Sequence, residues 1–347
     1  MPGSVSRIGE EAQLSINPIR GLSHPATRNA GRSNWEVITP EQISELREKR
    51  YNGTVVGLRK VSSDLMMLRV KPDMAKPAHE PGQYCTLGLG NWEPRLPGTQ
   101  DDHLTDEEEA KMVLRAYSIS CPIYDDPGHL IDMHGQDWIE FYIVLVRENS
   151  EGAKAPALTP RLFMLKEGDR ISIGKKITGH YTLHGIEPDH NVIFLSTGTG
   201  EAPHNFMVWD LMRRGHRGKM LAACCVRLNR DLGYIETHRE IEARTRNYRY
   251  LGLTTREPIA NQKVYIQDML MTGELEKALG EPIDPTTTHV FLCGNPKMIG
   301  IPETDLTTGE RKYPETLGVI QLLEEKGFRA DEAKTKTFGN IHFEKYW

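Results

Sequence analysis

The sequence changes its pattern near residue 190, and this change constrains the fold more than any other feature. Before that point, six segments rich in β-branched and aromatic residues are bounded by Gly, Pro or Asp. After it, short apolar segments alternate with stretches of helical period, which predict helices at 202–214, 235–244 and 266–275. The first pattern predicts a closed antiparallel β-barrel, and the second predicts an α/β domain with a parallel sheet. The six barrel strands are predicted at 51–60, 65–71, 83–89, 113–120, 138–146 and 170–174.

The chain of 347 residues is long enough for two domains that each bury a core. We expect a disordered N-terminal tail at 1–34, because these residues lack sustained apolar periodicity. The barrel domain is predicted at 35–185 and the α/β domain at 186–347. The acidic insertion at 91–111 contains two prolines and predicts a long surface loop or a short helix.

The composition excludes several classes of function. A net charge of −5 argues against a general nucleic-acid binder, which needs a basic face. No apolar run approaches the roughly 20 residues that span a bilayer, so we expect no membrane span. Five cysteines without CxxC spacing indicate free thiols in the reducing cytoplasm, with no iron–sulfur or other metal site.

A predicted apolar strand leads into Gly198-Thr199-Gly200 and then into a helix with Pro203 in its first turn. Glycines at this place let a dinucleotide approach the backbone, and the start of a helix offers free N–H groups to an anion. A tight turn without a ligand explains the same residues equally well.

Basic and hydroxyl side chains follow the ends of two predicted strands in the second half. A guanidinium group is a planar fork for phosphate oxygens, so such a set suits the 2′-phosphate of NADP. An NAD site would instead carry an acid for the ribose. Each residue taken alone fits a solvated surface as well. The set consists of Arg227, Thr255, Arg256, Lys263 and Tyr265.

Together with other segments, these motifs resemble the ferredoxin (flavodoxin)–NADP reductases, a family of two-domain FAD enzymes. The resemblance runs from about Tyr51 to the C-terminus, with the motifs in the same order throughout. Arg-Ala-Tyr-Ser, Cys-Gly-Asn-Pro and Tyr-Trp are similar to the bacterial members, and Lys-Val-Tyr-Ile-Gln is similar to the plastid members. The motifs lie at 115–118, 159–162, 198–203, 255–256, 263–267, 293–296 and 346–347.

The resemblance implies a flavin site in the barrel half. Arg115 would bind the FAD pyrophosphate, Tyr117 would pack on the isoalloxazine, and Ser118 would hydrogen-bond near N5. The other FAD contacts would come from Ala116, Ile143, Val144, Leu145, Ala157, Leu158, Thr159, Thr199, Tyr346 and Trp347.

The resemblance also implies an NADP site in the α/β half. Cys293 would lie beside the hydride-donor carbon and shape the nicotinamide pocket. A small buried packing residue is the alternative interpretation of this cysteine. The NADP contacts would come from Gly198, Thr199, Gly200, Arg227, Thr255, Arg256, Lys263, Tyr265, Gly294, Asn295, Pro296, Lys297 and Met298.

Two residues near the C-terminus join Ser118 and Cys293 in the catalytic set that the resemblance implies. Trp347 would stack on the flavin face opposite Tyr117 and move aside for the nicotinamide. The alternative for Trp347 is a frayed chain end. Glu344 would either assist proton transfer to the reduced flavin or only hydrogen-bond a loop.

The function that the resemblance implies is that of a monomeric, cytoplasmic FAD oxidoreductase. It would exchange electrons between NADP(H) and ferredoxin or flavodoxin, with hydride transfer between nicotinamide C4 and flavin N5. An NADPH-dependent flavin reductase, or the reductase component of an oxygenase, would keep the same motifs. A catalytically silent nucleotide sensor and a zinc protein are more distant alternatives, because Arg115–Ser118 is intact and His and Cys lack ligand spacing.

Overall fold

The structure is a computed structural model that describes residues 38–346, except for 126–127, 258–262, 306 and 333–336. The predicted tail at 1–34 and the predicted lid residue Trp347 therefore lie outside the described residues. The part from Ile38 onward forms one compact unit. Among the described residues, no helix combines the length and apolar character that a membrane crossing requires.

The described residues of the first part of this unit form six strands and three helices. One helix precedes the first strand, and the other two lie in connections between strands. The insertion predicted as a loop or short helix contains a four-residue helix, which Thr105 caps. The elements are α1 (Pro40–Arg50), β1 (Gly53–Ser62), β2 (Leu65–Pro72), β3 (Tyr84–Gly90), α2 (Asp106–Glu109), β4 (Met112–Ser120), β5 (Ile139–Val144), α3 (Thr159–Leu162) and β6 (Arg170–Ile173).

The six strands close into an antiparallel barrel in the order β1-β2-β5-β4-β3-β6, which confirms the predicted fold of this half. Side chains alternate between the barrel interior and its surface, because successive residues of a strand point to opposite faces. Leu68, Leu87 and Phe141 are fully buried and contribute to the barrel core.

The second part alternates strands with helices, as the periodicity predicts. One expected helix, 266–275, is interrupted, because Gly273 adopts a left-handed φ of 76° and separates two shorter helices. The elements are β7 (Asn191–Thr197), α4 (Glu201–Arg213), β8 (Met220–Val226), α5 (Ile235–Arg244), β9 (Tyr248–Thr254), α6 (Ile266–Thr272), α7 (Glu274–Leu279), β10 (Thr288–Gly294), α8 (Pro296–Ile299), β11 (Glu303–Thr304), β12 (Arg311–Lys312), α9 (Val319–Glu324) and β13 (Ile341–Lys345).

Five of these strands form a parallel sheet in the order β13-β10-β7-β8-β9. The chain leaves β7 towards β8 and β9, and then returns to place β10 on the other side of β7. The order therefore reverses between β7 and β10, and ligands of open parallel sheets bind beside the carboxyl ends of strands at such a reversal.

Helix α4 lies between the barrel and the sheet. It packs against β4 on one side and against β7, β8 and β10 on the other. Every residue from Glu201 to Leu211 is buried, so the helix has no solvated face along most of its length. Trp209 is fully buried, and its indole N–H donates to Ile131 O at 2.8 Å. One continuous core therefore runs from the barrel through α4 into the sheet.

Candidate functional site

Two neighbouring barrel strands separate, and predicted flavin residues border the opening. The last pair of the β4–β5 ladder joins Ile119 to Phe141. An extension of this ladder would pair Tyr117 with Ile143, but β5 continues beyond Phe141 only with β2. The edge of β4 is therefore left open towards a gap. The residues that border this gap are Arg115, Ala116 and Tyr117 on β4 and Ile143, Val144 and Leu145 at the end of β5.

The side chains of β4 beside the gap suit a planar aromatic ligand that carries an anion. Arg115 and Ala116 are exposed although they lie in the middle of a barrel strand. The Arg115 guanidinium has no ion-pair partner among the described residues, and its Nη1 donates to Leu114 O at 2.8 Å. Tyr117 packs edge-on against Phe141 with ring centroids 6.5 Å apart. Burial raises the pKa of the Tyr117 phenol, so the ring is neutral.

The end of the chain brings a second aromatic ring to the same place. Tyr346 follows β13, and its phenol is hydrogen-bonded to the Ser118 hydroxyl and to the Cys293 thiol. The phenol also donates to Thr199 O at 3.5 Å. Burial raises the pKa of this phenol as well. Tyr346 is thus the aromatic residue that the structure places beside Ser118, whereas the role predicted for Trp347 falls outside the described residues.

Two glycine turns interlock at the carboxyl ends of β7 and β10. A Cβ on Gly200 would lie 2.3 Å from Cys293 O, so only glycine permits this approach. Gly294 has a φ of 120°, and a Cβ there would lie 2.3 Å from Thr197 Oγ1. The same hydroxyl accepts the N–H of Asn295 at 2.7 Å. The two predicted nucleotide turns therefore form one continuous backbone surface at the reversal of the sheet.

Cys293 and Glu344 lie side by side in this part of the sheet, paired in the register of β10 and β13. Cys293 is fully buried, and burial raises the pKa of its thiol, so the side chain is a neutral packing group and not a nucleophile. Burial also raises the pKa of the Glu344 carboxyl. The Glu344 carboxyl has no hydrogen-bond or ion-pair partner among the described residues.

The residues predicted to bind the 2′-phosphate meet at the ends of β8 and β9. The N–H of Arg256 donates to Arg227 O at 2.9 Å, which joins the two segments directly. The hydroxyl of Thr255 donates to Val226 O at 3.3 Å. Both arginine side chains are exposed, and neither has an ion-pair partner among the described residues. Two guanidinium groups are thus free to meet an anion.

Lys263 and Tyr265 belong to a segment that returns to the same edge of the sheet. They flank Val264, whose carbonyl oxygen accepts from Cys225 Sγ at 3.8 Å near the end of β8. Both side chains are exposed.

Several other predicted residues have roles in packing or capping. Met298 and Leu158 are buried in apolar cores, and Thr159 Oγ1 accepts the N–H of Val146 at 3.1 Å. Asn295 caps α8 by accepting the N–H of Lys297 at 2.9 Å, and Pro296 begins that helix. The structure does not bring these side chains into the cluster around Ser118, Cys293 and Tyr346.

The sequence did not predict a buried polar pair, Tyr181 and His204, that lies next to the site. Tyr181 interacts electrostatically with Cys293 and Tyr346, and its phenol is 2.7 Å from His204 Nε2. Burial raises the pKa of Tyr181, so the phenol stays protonated and donates to this nitrogen. Burial, with a smaller effect of His238, lowers the pKa of His204 to about 3. The available signal in the sequence was a histidine just before the apolar run Phe206–Trp209 of this helix.

Comparisons with known proteins match both halves of this fold. Residues 194–303 match the model of the oxidoreductase NAD-binding domain family, so the second half is similar to the nucleotide-binding domains of oxidoreductases. The flavodoxin/ferredoxin–NADP reductase of Shigella flexneri is 32% identical over 222 residues, which are 63% of this chain and 75% of that protein. The ferredoxin–NADP reductase of Azotobacter vinelandii is 30% identical over 229 residues, again 63% and 75% of the two chains. The chain therefore belongs to the ferredoxin/flavodoxin–NADP reductase family.

A solved structure agrees with this assignment at the level of the fold. The crystal structure of a ferredoxin NADP+ reductase from Neisseria gonorrhoeae, with bound FAD and NADP, superposes with a TM-score of 0.59. It is 18% identical, and the superposition covers 85% of this chain and 97% of that chain. The two-domain architecture is thus the one that the sequence pattern predicts.

We expect His204 to make the protein less stable in acid. In the unfolded chain its ring takes up a proton below about pH 6.5, whereas in the folded state it stays neutral down to about pH 3. The unfolded state therefore binds more protons in this window, and the free energy of unfolding falls as the pH is lowered through it. Urea titrations between pH 7 and pH 4 should show a shallower pH dependence for His204→Gln, by about 1.4 kcal/mol per pH unit.

The matched control is His103→Gln, since the His103 ring is 84% exposed. This variant should keep the pH dependence of the wild-type protein. Equal slopes for His204→Gln and the wild type would contradict the assignment of a neutral buried imidazole.

Proposed function

We propose that this chain transfers electrons between NADP(H) and a one-electron carrier protein, ferredoxin or flavodoxin, through FAD bound in the gap between β4 and β5. The observation that carries the proposal is this gap, which has an unpaired strand edge, an exposed arginine and an aromatic ring on β4. The glycine turns predicted for the nucleotide lie where the sheet order reverses, and the Gly198–Gly200 turn contacts β5 beside the same gap.

The residues around the gap fit a flavin dinucleotide. Arg115 offers the pyrophosphate a guanidinium that has no ion-pair partner among the described residues, and Tyr117 offers a neutral ring to the isoalloxazine. We propose that Tyr346, whose phenol is hydrogen-bonded to the Ser118 hydroxyl, covers the opposite face of the isoalloxazine. Nicotinamide needs access to that face, so we propose that Tyr346 moves aside when NADP(H) binds.

The bound flavin would supply the two-electron to one-electron chemistry, and the protein orients the partners and excludes water. Thr199 and the interlocked turns at Gly200 and Gly294 hold the backbone that the nicotinamide end approaches. Cys293 shapes this pocket as a neutral side chain. Glu344 has a raised pKa and no described partner, so it can hold a proton beside Cys293 while the flavin changes redox state.

The exposed groups at the ends of β8 and β9 support a preference for NADP(H) over NAD(H). Arg227 and Arg256 are joined through their backbones, and neither guanidinium group has an ion-pair partner in the described part of the chain. Thr255 lies beside them, and Lys263 follows on the neighbouring segment. We propose that they bind the 2′-phosphate, with Tyr265 next to the adenosine.

The specific carrier protein, a monomeric state and a cytoplasmic location are further parts of the proposal. All five cysteines are free and buried, which fits a reducing compartment. An assay with ferredoxin, flavodoxin and free flavin as acceptors separates a carrier reductase from a flavin reductase. Faster turnover with free flavin than with either carrier protein would favour the flavin reductase.

The protein reconstituted with FAD should bind it and lose its visible flavin absorption when NADPH is added without oxygen.

Arg115→Ala should weaken FAD binding by roughly 10- to 100-fold, because a charge-assisted contact contributes about 1.5–3 kcal/mol. Arg47→Ala is the control, since Arg47 pairs with Glu93 on the barrel. FAD titration by fluorescence quenching measures both variants. A colourless reconstituted protein, or a flavin that NADPH leaves oxidised, would refute the proposal.

Arg256→Ala and Arg227→Ala should raise the KM for NADPH by roughly 10- to 100-fold, because each removes a charge-assisted phosphate contact. The KM for NADH should change less than about 2-fold, since NADH carries no 2′-phosphate. Steady-state reduction of an artificial acceptor with both nucleotides measures the effect. Arg239→Ala serves as control, because Arg239 is exposed and pairs with Glu236. An equal rise in the KM for NADPH and for NADH would show that the two arginines do not bind the 2′-phosphate.

A further inference from the structure

A buried tyrosine of the α/β half bridges the two barrel strands where they begin to separate. Tyr234 directly precedes α5, and its phenol donates to Glu140 Oε1 at 3.0 Å. The same phenol is 2.8 Å from Ser120 Oγ. Ser120 and Glu140 are themselves a ladder pair of β4 and β5, next to the last pair before the gap. Tyr234 is therefore hydrogen-bonded to both β4 and β5 beside the proposed flavin site.

One helical turn later, α5 contacts the nucleotide turn of the sheet domain. The N–H of His238 donates to Tyr234 O at 2.9 Å, within the first turn of the helix. His238 Nε2 is 3.1 Å from Glu201 Oε1, and its Nδ1 is 2.7 Å from Tyr248 OH. The ring of His238 stacks on Tyr250 with centroids 4.0 Å apart. The orientation of His238 is thus fixed from three directions.

Glu201 is the residue that follows the Gly198–Gly200 turn. The residue is 2% exposed, and its Oε1 also accepts from Tyr250 OH at 2.7 Å. A chain of polar contacts therefore runs from the β4–β5 pair through Tyr234 and His238 to the start of α4. Ser120 at one end of this chain lies two residues from Ser118, on the same face of β4.

The polar character of this chain of contacts indicates that it fixes the relative placement of the two halves. Glu140 and Glu201 are both almost completely buried, and burying carboxylates is costly, the more so because Glu201 Oε2 has no hydrogen-bond partner among the described residues. Apolar side chains of similar volume would join the two halves without this cost. Moreover, α5 buries only His238 and Ile241 of its own side chains, so apolar packing of this helix is limited. Directional hydrogen bonds, in contrast, specify one relative placement.

We propose that Tyr234 and His238 are positioning residues that fix the Gly198–Gly200 turn relative to β4, and thereby set the spacing between the two cofactors. This inference rests on the proposed function for its kinetic consequence. Its structural part, a coupling between the barrel ladder and the nucleotide turn, can be measured without any cofactor.

The first experiment is hydrogen exchange on the full-length protein without added nucleotide. Tyr234→Phe keeps the ring and removes the hydroxyl, and Ser120→Ala removes one partner of that hydroxyl with a smaller change. Both variants should accelerate amide exchange in residues 198–205 by about 10-fold, because the turn loses its anchor. The matched control is Tyr51→Phe, since the Tyr51 phenol is also buried and donates to a carboxylate, Glu93, at 2.8 Å on the barrel.

The second experiment is stopped-flow reduction of the FAD-loaded protein by NADPH. Tyr234→Phe should lower the limiting rate constant of flavin reduction by about 10-fold, because small misplacements of reactants slow transfer strongly. The dissociation constant for NADPH should change less than 2-fold, and Tyr51→Phe should leave both values unchanged. His238→Gln combined with Tyr234→Phe should be no slower than the slower single variant, because both act through one connection.

The inference is wrong if exchange in 198–205 and the limiting rate constant of Tyr234→Phe and Ser120→Ala match those of Tyr51→Phe. It is also wrong if the effects of His238→Gln and Tyr234→Phe multiply. If NADPH fails to reduce the wild-type flavin, the proposed function fails, and the exchange measurement alone then decides the structural coupling.

Discussion

The parting of β4 and β5 after the Ile119–Phe141 pair is the constraint on which the rest of the structure depends. A strand edge inside a barrel normally finds a partner, because unpaired backbone groups are costly away from water. Here the edge stays open next to an exposed Arg115 and the neutral ring of Tyr117. A flat ligand with hydrogen-bonding edges and a charged tail can complete such an edge. Near the end of the chain, Tyr346 returns to this edge, where its phenol is hydrogen-bonded to Ser118 of β4.

The two halves must keep a fixed relation, because a hydride donor and its acceptor react only in contact. Two helices hold the halves in place, one through apolar packing and the other through hydrogen bonds. Helix α4 is buried along most of its length between barrel and sheet, so apolar packing holds it. Helix α5 is held at its start by hydrogen bonds from Tyr234 to the barrel and from His238 to Glu201. The interlocked glycine turns, which tolerate no side chain at Gly200, lie directly before α4 and at the end of β10.

The sequence predicted the architecture well because the underlying signals are local. Alternation in the strands, the Gly198–Gly200 turn and the arginines at strand ends are each readable within a few residues, and the barrel and parallel sheet were both found. The broken helix at Gly273 was missed, although a lone glycine was its signal. The parting of the strands and the bridging role of Tyr234 were not predictable, because both depend on pairing between segments distant in the chain.

The most direct test of this account is a crystal structure of the protein with FAD bound. The account predicts the isoalloxazine in the gap between β4 and β5, with the ring of Tyr117 on one face, Tyr346 on the other and the pyrophosphate at Arg115. A gap that is filled by protein, or a flavin bound elsewhere on the chain, would contradict it.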